Sequence, residues 1–208
     1  MYIAYQTSRK ICTILTDNHV ISPENNKFYL YCFEFVLDNI LFNTFLFFLG
    51  ILLAVPLQAV VYIITIVPIK MFAGGAHAGS RIKCSAISLS VFLLILYITN
   101  QFAEAISTGM IHLVFFLSLA LIVLMAPVDT RNKRIPVNQR RPYKKKCFFL
   151  CLFVIAIYAV LQYYKYRECY LLTAICMMAV TLNQITGILI NLHSGEEYDA
   201  KLKHSGMR

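Results

Sequence analysis

The chain has 208 residues, 59% hydrophobic and 14% charged, with a mean hydropathy of +0.67. Soluble domains are about 45–50% apolar and about 25% charged, so a soluble core of this size is excluded and the surplus apolar surface must face lipid; several crossings leave no room for a second domain. A formal charge of +9 would suggest nucleic acid in a soluble protein, but here the basic residues sit between apolar stretches, where they set topology, and no nucleic-acid partner is expected.

The first 33 residues hold polar and charged groups throughout and lack an apolar core with a small-residue cleavage site, so no cleavable signal peptide is expected. Ile3, Ile11, Ile14 and Leu15 share one side of a helix, with Arg9, Lys10 and Asp17 elsewhere. That pattern suits a helix lying on the inner leaflet, although a frayed terminus fits the same residues. Ser22, Pro23 and Glu24 then make a helix start, with Ser as N-cap and Pro at the first helical position.

A helix needs about 20 apolar residues to cross about 30 Å of hydrocarbon. Such stretches run over roughly 34–72, 84–103, 109–127, 147–164 and 169–192. The first is too long for one crossing, because Ile40 to Phe72 alone makes a helix of about 50 Å, and it splits near Gly50 to Pro56. Six crossings with a cytoplasmic N-terminus put 17 of the 19 Lys and Arg on the inner side, leaving only Lys165 and Arg167 outside. This agrees with the excess of positive residues on cytoplasmic loops. The expectation is an all-α, polytopic membrane helix bundle with both termini cytoplasmic. It has an N-terminal segment over 1–33, a six-helix region over 34–192 with short loops at 73–84 and 128–146, and a tail over 193–208.

Glu34 and Asp38 lie where the first crossing begins, and no ionisable group sits near the midplane, which argues against a proton-coupled pump or ion channel. Asn183, Gln184 and Thr186 in the last crossing read as interhelical hydrogen-bond partners. His112, near the outer surface, reads as structural. Seven cysteines (Cys12, Cys32, Cys84, Cys147, Cys151, Cys169, Cys176) include no CxxC pair, so neither zinc nor a thioredoxin-like motif is indicated; Cys147 and Cys151, one turn apart, read as core packing. No cofactor is expected.

The informative segment runs from Met71 to Cys84 and carries Gly74, Gly75, His77, Gly79, Arg81 and Lys83. A thiol reacts as its thiolate, which a nearby imidazolium favours, and His can serve as base for the thiol and acid for a leaving amine. On a straight helix His77 and Cys84 would stand about 10 Å apart along the axis. A dyad therefore needs the glycines to fold the segment back, which could also turn backbone N–H groups toward an oxyanion. No second His or carboxylate lies near enough for a metal.

The segment GGAHAGSRIKC resembles the GAHA…C signature of the accessory gene regulator B (AgrB) family. The stretch from Ala126 to Val137, followed by a basic run, is similar to that family's second cytoplasmic loop. The resemblance covers nearly the whole chain. It implies a membrane-embedded cysteine endopeptidase that removes the C-terminal tail of a small amphipathic, AgrD-like propeptide and promotes closure of a thiolactone or lactone quorum-sensing signal. It implies Cys84 as nucleophile and His77 as general base and acid, with the site on the cytoplasmic side of the cell membrane. Gly75 matches the family's loop glycine, and Lys70 stands where a basic residue often precedes the motif. A homodimer is also implied, although no crossing carries GxxxG. Arg131, Lys133, Arg134, Arg140 and Arg141 are candidates for docking the acidic tail, and the basic loop also suits attraction to anionic lipid. The competing class is a non-enzymatic peptide exporter or peptide-binding helper, which would not need Cys84.

Overall fold

The computed structural model describes residues 2–76, 79–129 and 135–204. Among them the chain is helical almost throughout, with one isolated β-bridge and no strand. Seven helices follow in order: α1 (Tyr2–Asp17), α2 (Asn26–Leu52), α3 (Pro56–Ala73), α4 (Arg81–Phe102), α5 (Thr108–Met125), α6 (Val137–Tyr163) and α7 (Arg167–His204), with a 3-10 turn at Pro23–Asn25 leading into α2. The six from α2 to α7 are long and apolar enough to cross a membrane, which makes this a multi-pass membrane protein.

The break in the long first stretch falls at Leu53 to Val55, between α2 and α3, and has no glycine in it. Ala54 takes a left-handed backbone (φ 58°). Val55 N–H donates to Gly50 O at 2.8 Å and Ala54 N–H to Ile51 O at 3.0 Å. This 6→1 and 5→2 pair satisfies the last carbonyls of α2, and Pro56 opens α3 where its missing N–H costs nothing. The same closure recurs after α6, with Lys165 left-handed (φ 59°), and after α1, with His19 (φ 55°).

Several boundaries differ from the sequence reading. The helix that carries the first crossing begins at Asn26, ahead of residue 34, so Glu34 and Asp38 are helical. Arg140 to Lys146 are helical from α6 onward rather than part of a loop, with Pro142 inside the first two turns. The tail is a continuation of α7 as far as His204.

Residues 1–56 and 57–208 form two compact units. In the first, α1 packs on α2. The buried positions of α1 are Ala4, Ser8 and Cys12, while Ile14 is exposed. The helix predicted there is present, and the side that packs is a stripe of small residues at four-residue spacing. Small side chains let helices approach closely.

In the second unit α7 is central. Its nine consecutive residues from Cys169 to Met177 are all buried, as expected of a helix enclosed on every side, and it packs against α4, α5 and α6. Cys147 and Cys151 are buried on α6, as core packing predicts. Buried Thr65, Thr99 and Thr173 donate to carbonyls one turn back on their own helices.

At one end of this unit Arg167, at the start of α7, donates to Ala103 O (2.7 Å), Ile106 O (2.6 Å), Thr108 Oγ1 (3.1 Å) and Tyr170 OH (3.1 Å). It thereby stitches the α4–α5 connection to α7. Nearby, Gln58 donates to Asn100 Oδ1 at 2.9 Å. His112 pairs with Tyr158 OH at 2.7 Å and with Gln162 at 3.2 Å, which gives it the structural role read from sequence. Substituting Arg167→Leu strands two carbonyls that a charged donor had satisfied. We expect a loss of roughly 2–4 kcal/mol, read as a lower temperature at which the buried Cys169 and Cys176 become reactive to a thiol dye; an unchanged temperature would refute this stitching role.

Candidate active site

At the opposite end of the second unit, three separate stretches of chain meet through their backbones. Helix α3 ends at Ala73, and Gly74 and Gly75 turn with positive φ (76° and 126°). Gly74 forms a parallel bridge with Val128, in the α5–α6 connection. Gly75 N–H donates to Val128 O at 3.1 Å, and Val128 N–H donates to Ala73 O at 2.9 Å. On the other side Ala76 N–H donates to Asn183 O at 3.0 Å, and Gln184 Nε2 donates to Ala73 O at 3.1 Å.

Glycine is required at this junction. A Cβ on Gly74 would overlap the Val128 carbonyl, and one on Gly75 would overlap the Asn183 amide. On the facing helix a Cβ on Gly187 would lie 2.9 Å from Ala76 N and Gly75 C. Gly75, a candidate for substrate binding, thus has a packing reason to be glycine.

The α5–α6 connection is held from two further sides. Arg140 pairs with the Asp129 carboxylate at 2.9 Å, and Asn191 Nδ2 donates to Asp129 O. Tyr143 stacks edge-on against Phe72 (centroids 5.5 Å), with Lys146 Nζ 5.3 Å from the same ring. The two motif segments that carry the family resemblance, 74–84 and 126–137, are therefore in direct contact.

Cys84 sits at the start of α4. Ser80 is the N-cap, its Oγ accepting from Lys83 N–H at 3.3 Å, while Cys84 N–H closes the first turn onto Ser80 O at 3.1 Å. Cys84 and Ser88 are half-buried, and Phe92, Leu96 and Thr99 are buried. Spacing of three to four residues puts them on one face, so Cys84 occupies the packed side of α4 at its loop end. The thiol is free, as are the other six.

Lys70 lies in the last turn of α3, one turn before the glycine junction. Arg141 is exposed on α6. His77, Arg131, Lys133 and Arg134 lie outside the described residues. Among the described residues no cluster could hold a metal ion.

Asn183 and Gln184 were read as glue between helices. Gln184 does join two helices, donating from α7 to Ala73 O at the end of α3, while Asn183 acts through its main-chain carbonyl on Ala76 N–H and Thr186 only bonds Leu182 O on its own helix. Val128, Asp129, Gly187 and Asn191 were not singled out. A polar triplet on an otherwise apolar helix, with a glycine one turn later, was the available signal. Among the described residues Asn183 Nδ2 and Gln184 Oε1 are buried without a hydrogen-bond partner.

A multi-pass membrane protein in which these two motifs meet is the class that the fold and site define. The family model for accessory gene regulator B matches residues 8–182, most of the chain, and the protein belongs to that family. A protein named AgrB-like in Clostridium perfringens (strain SM101 / Type A) is 24% identical over 161 residues, 69% of this chain and 74% of that protein. An AgrB-like protein 2 of Clostridium perfringens (strain 13 / Type A) is 24% identical over 127 residues, 56% of this chain and 58% of that protein. No solved structure matches the chain.

The glycine junction makes a paired prediction. Gly75→Ala adds a Cβ into the Asn183 amide at a left-handed φ, and we expect a cost of roughly 3 kcal/mol or more. Gly79→Ala, where a Cβ meets nothing within 4 Å, is expected to stay within about 0.5 kcal/mol. Thermal unfolding of the two variants side by side checks this, and equal effects would remove the packing explanation.

Proposed function

We propose that this protein is a membrane-embedded cysteine endopeptidase that cuts the C-terminal tail from a small amphipathic, AgrD-like propeptide and passes the acyl group on to close a ring. The observation that carries the reading is the position of Cys84. It lies on the packed side of α4, a few residues beyond a backbone segment pinned on both sides by Val128 and α7. Membership of the AgrB family supports the substrate class.

Cys84 is the nucleophile and His77 its base and acid. The Cys84 thiolate attacks the scissile carbonyl and an S–C bond forms. As the C–N bond breaks, the His77 imidazolium protonates the departing amine, leaving a peptidyl thioester. A thiol within the bound peptide then gives its proton to His77 and displaces Cys84, which conserves the acyl energy in a thiolactone; a hydroxyl would give a lactone. Hydrolysis would discard that energy, and a site at the membrane edge among apolar helices limits water. The loop end of the second unit faces the cytoplasm, because Lys70, Lys83, Arg140, Arg141 and Lys144 to Lys146 gather there. Lys165 and Arg167 are the basic residues of the other end, and Arg167 is taken up by the scaffold.

The acidic tail of the propeptide docks on Arg131, Lys133 and Arg134. Arg140 is committed to Asp129, and Arg141 is exposed on α6.

Two measurements on the full chain in lipid vesicles test the reading. Cys84→Ala should lower propeptide cleavage by at least about a thousandfold, with at most a trace in Cys84→Ser; a peptide exporter would be unaffected by either change. Reversing Arg131, Lys133 and Arg134 to Glu should raise KM about tenfold at low salt and less at high salt, as screened charges require. Unchanged cleavage at low salt would remove the docking role.

A further inference from the structure

Helix α6 sorts its basic residues onto two faces. Arg140 and Lys146 are taken by Asp129 and the Phe72 ring. On this inward side Tyr143 leads into the buried line of Cys147, Cys151, Val154 and Tyr158. Arg141 and Lys145 are exposed on the outward side, and Lys144, also exposed, borders it one turn before Phe148. That side continues, at three- and four-residue spacing, into Phe148, Phe149 and Leu152, which are 46%, 66% and 46% exposed. The residues that follow these cations on the same stripe are thus large and apolar, fit for acyl chains rather than water.

From Arg141 to Leu152 the stripe is about 16 Å long at 1.5 Å per residue, close to half of the roughly 30 Å hydrocarbon core. It matches one lipid in one leaflet, with a head-group contact at Arg141, Lys144 and Lys145 and an acyl contact along the aromatic pair. We propose that this outward stripe of α6 is a binding site for an anionic phospholipid. Charge complementarity selects the anionic head group, and the apolar continuation selects a lipid over a free phosphate or a peptide. The site is independent of the chemistry at Cys84.

The test uses the full chain purified in detergent and exposed to mixed micelles of phosphatidylglycerol and phosphatidylcholine, with bound lipid counted by native mass spectrometry. Two triple variants each remove three positive charges. One is Arg141→Gln, Lys144→Gln and Lys145→Gln; the other is Arg131→Gln, Lys133→Gln and Arg134→Gln. The wild type and the second variant should retain phosphatidylglycerol over phosphatidylcholine, and the first should lose that preference by about tenfold. The single change Lys145→Gln should give a partial loss should the triple variant fold poorly. Equal loss in both triples would show only net charge, and no loss in the α6 triple would show no site. Displacement of the lipid by inorganic phosphate or by a poly-glutamate peptide would show a bare anion or peptide surface. Each of these three results overturns the assignment.

Discussion

The structure depends on how closely three backbones approach one another at Gly74, Gly75 and Gly187. Irregular backbone at the edge of a membrane is tolerated only where protein satisfies its polar groups. Here Ala73 O accepts from both Val128 N–H and Gln184 Nε2, while Gly75 and Ala76 N–H find Val128 and Asn183 carbonyls. A side chain at any of the three glycines would push these backbones apart. Through them the end of α3, the α5–α6 connection and the middle of α7 are fixed to one another. What leaves that junction is the short connection that delivers Cys84 to the head of α4.

The two ends of the second unit solve the same problem with different chemistry. At the Arg167 end one guanidinium gathers two carbonyls and two hydroxyls from the α4–α5 connection and α7. A charged donor makes the stronger bonds, and a single residue suffices. At the loop end neutral amides and bare backbone do the work, and the charged groups stand around the junction rather than in it. The turns between crossings show a third solution. Ala54 and Lys165 accept a left-handed backbone so that two main-chain bonds can close each helix, and no polar side chain is needed.

Much of this was legible in the sequence. Hydropathy and the distribution of Lys and Arg gave six crossings and the place of the break before Pro56, because span length is a physical constraint that each residue contributes to independently. The packed face of α1 was not legible, since the apolar stripe at Ile11, Ile14 and Leu15 points to lipid and nothing in the pattern marks the small residues Ala4, Ser8 and Cys12 as the side that packs on α2. The helical start of α6 was hidden by Pro142 and by a run of cations that reads as loop. The contact between Gly74 and Val128 spans more than 50 residues and leaves no local pattern; the resemblance marked both segments without saying that they touch. The proposed pairing of His77 with Cys84 involves a residue outside those described.

The polar residues of α7 mark where its purpose changes. From Cys169 to Met177 the helix is enclosed and makes no exception to apolar packing beyond Thr173, which bonds its own turn. One turn later come Thr181, Asn183 and Gln184, and among the described residues two of their buried amide atoms have no partner. Each such atom costs about 1–3 kcal/mol. Within the second unit Gln58 Oε1 shares that condition, but Gln58 pairs with Asn100 near the Arg167 end rather than at the glycine junction. A helix serving only as a core would continue in leucine through these positions at lower cost. The Gln184 amide repays part of that cost by donating to Ala73 O, and together with the Asn183 carbonyl that receives Ala76 N–H it ties Gly74 and Gly75, where the chain leaves α3, to the middle of α7.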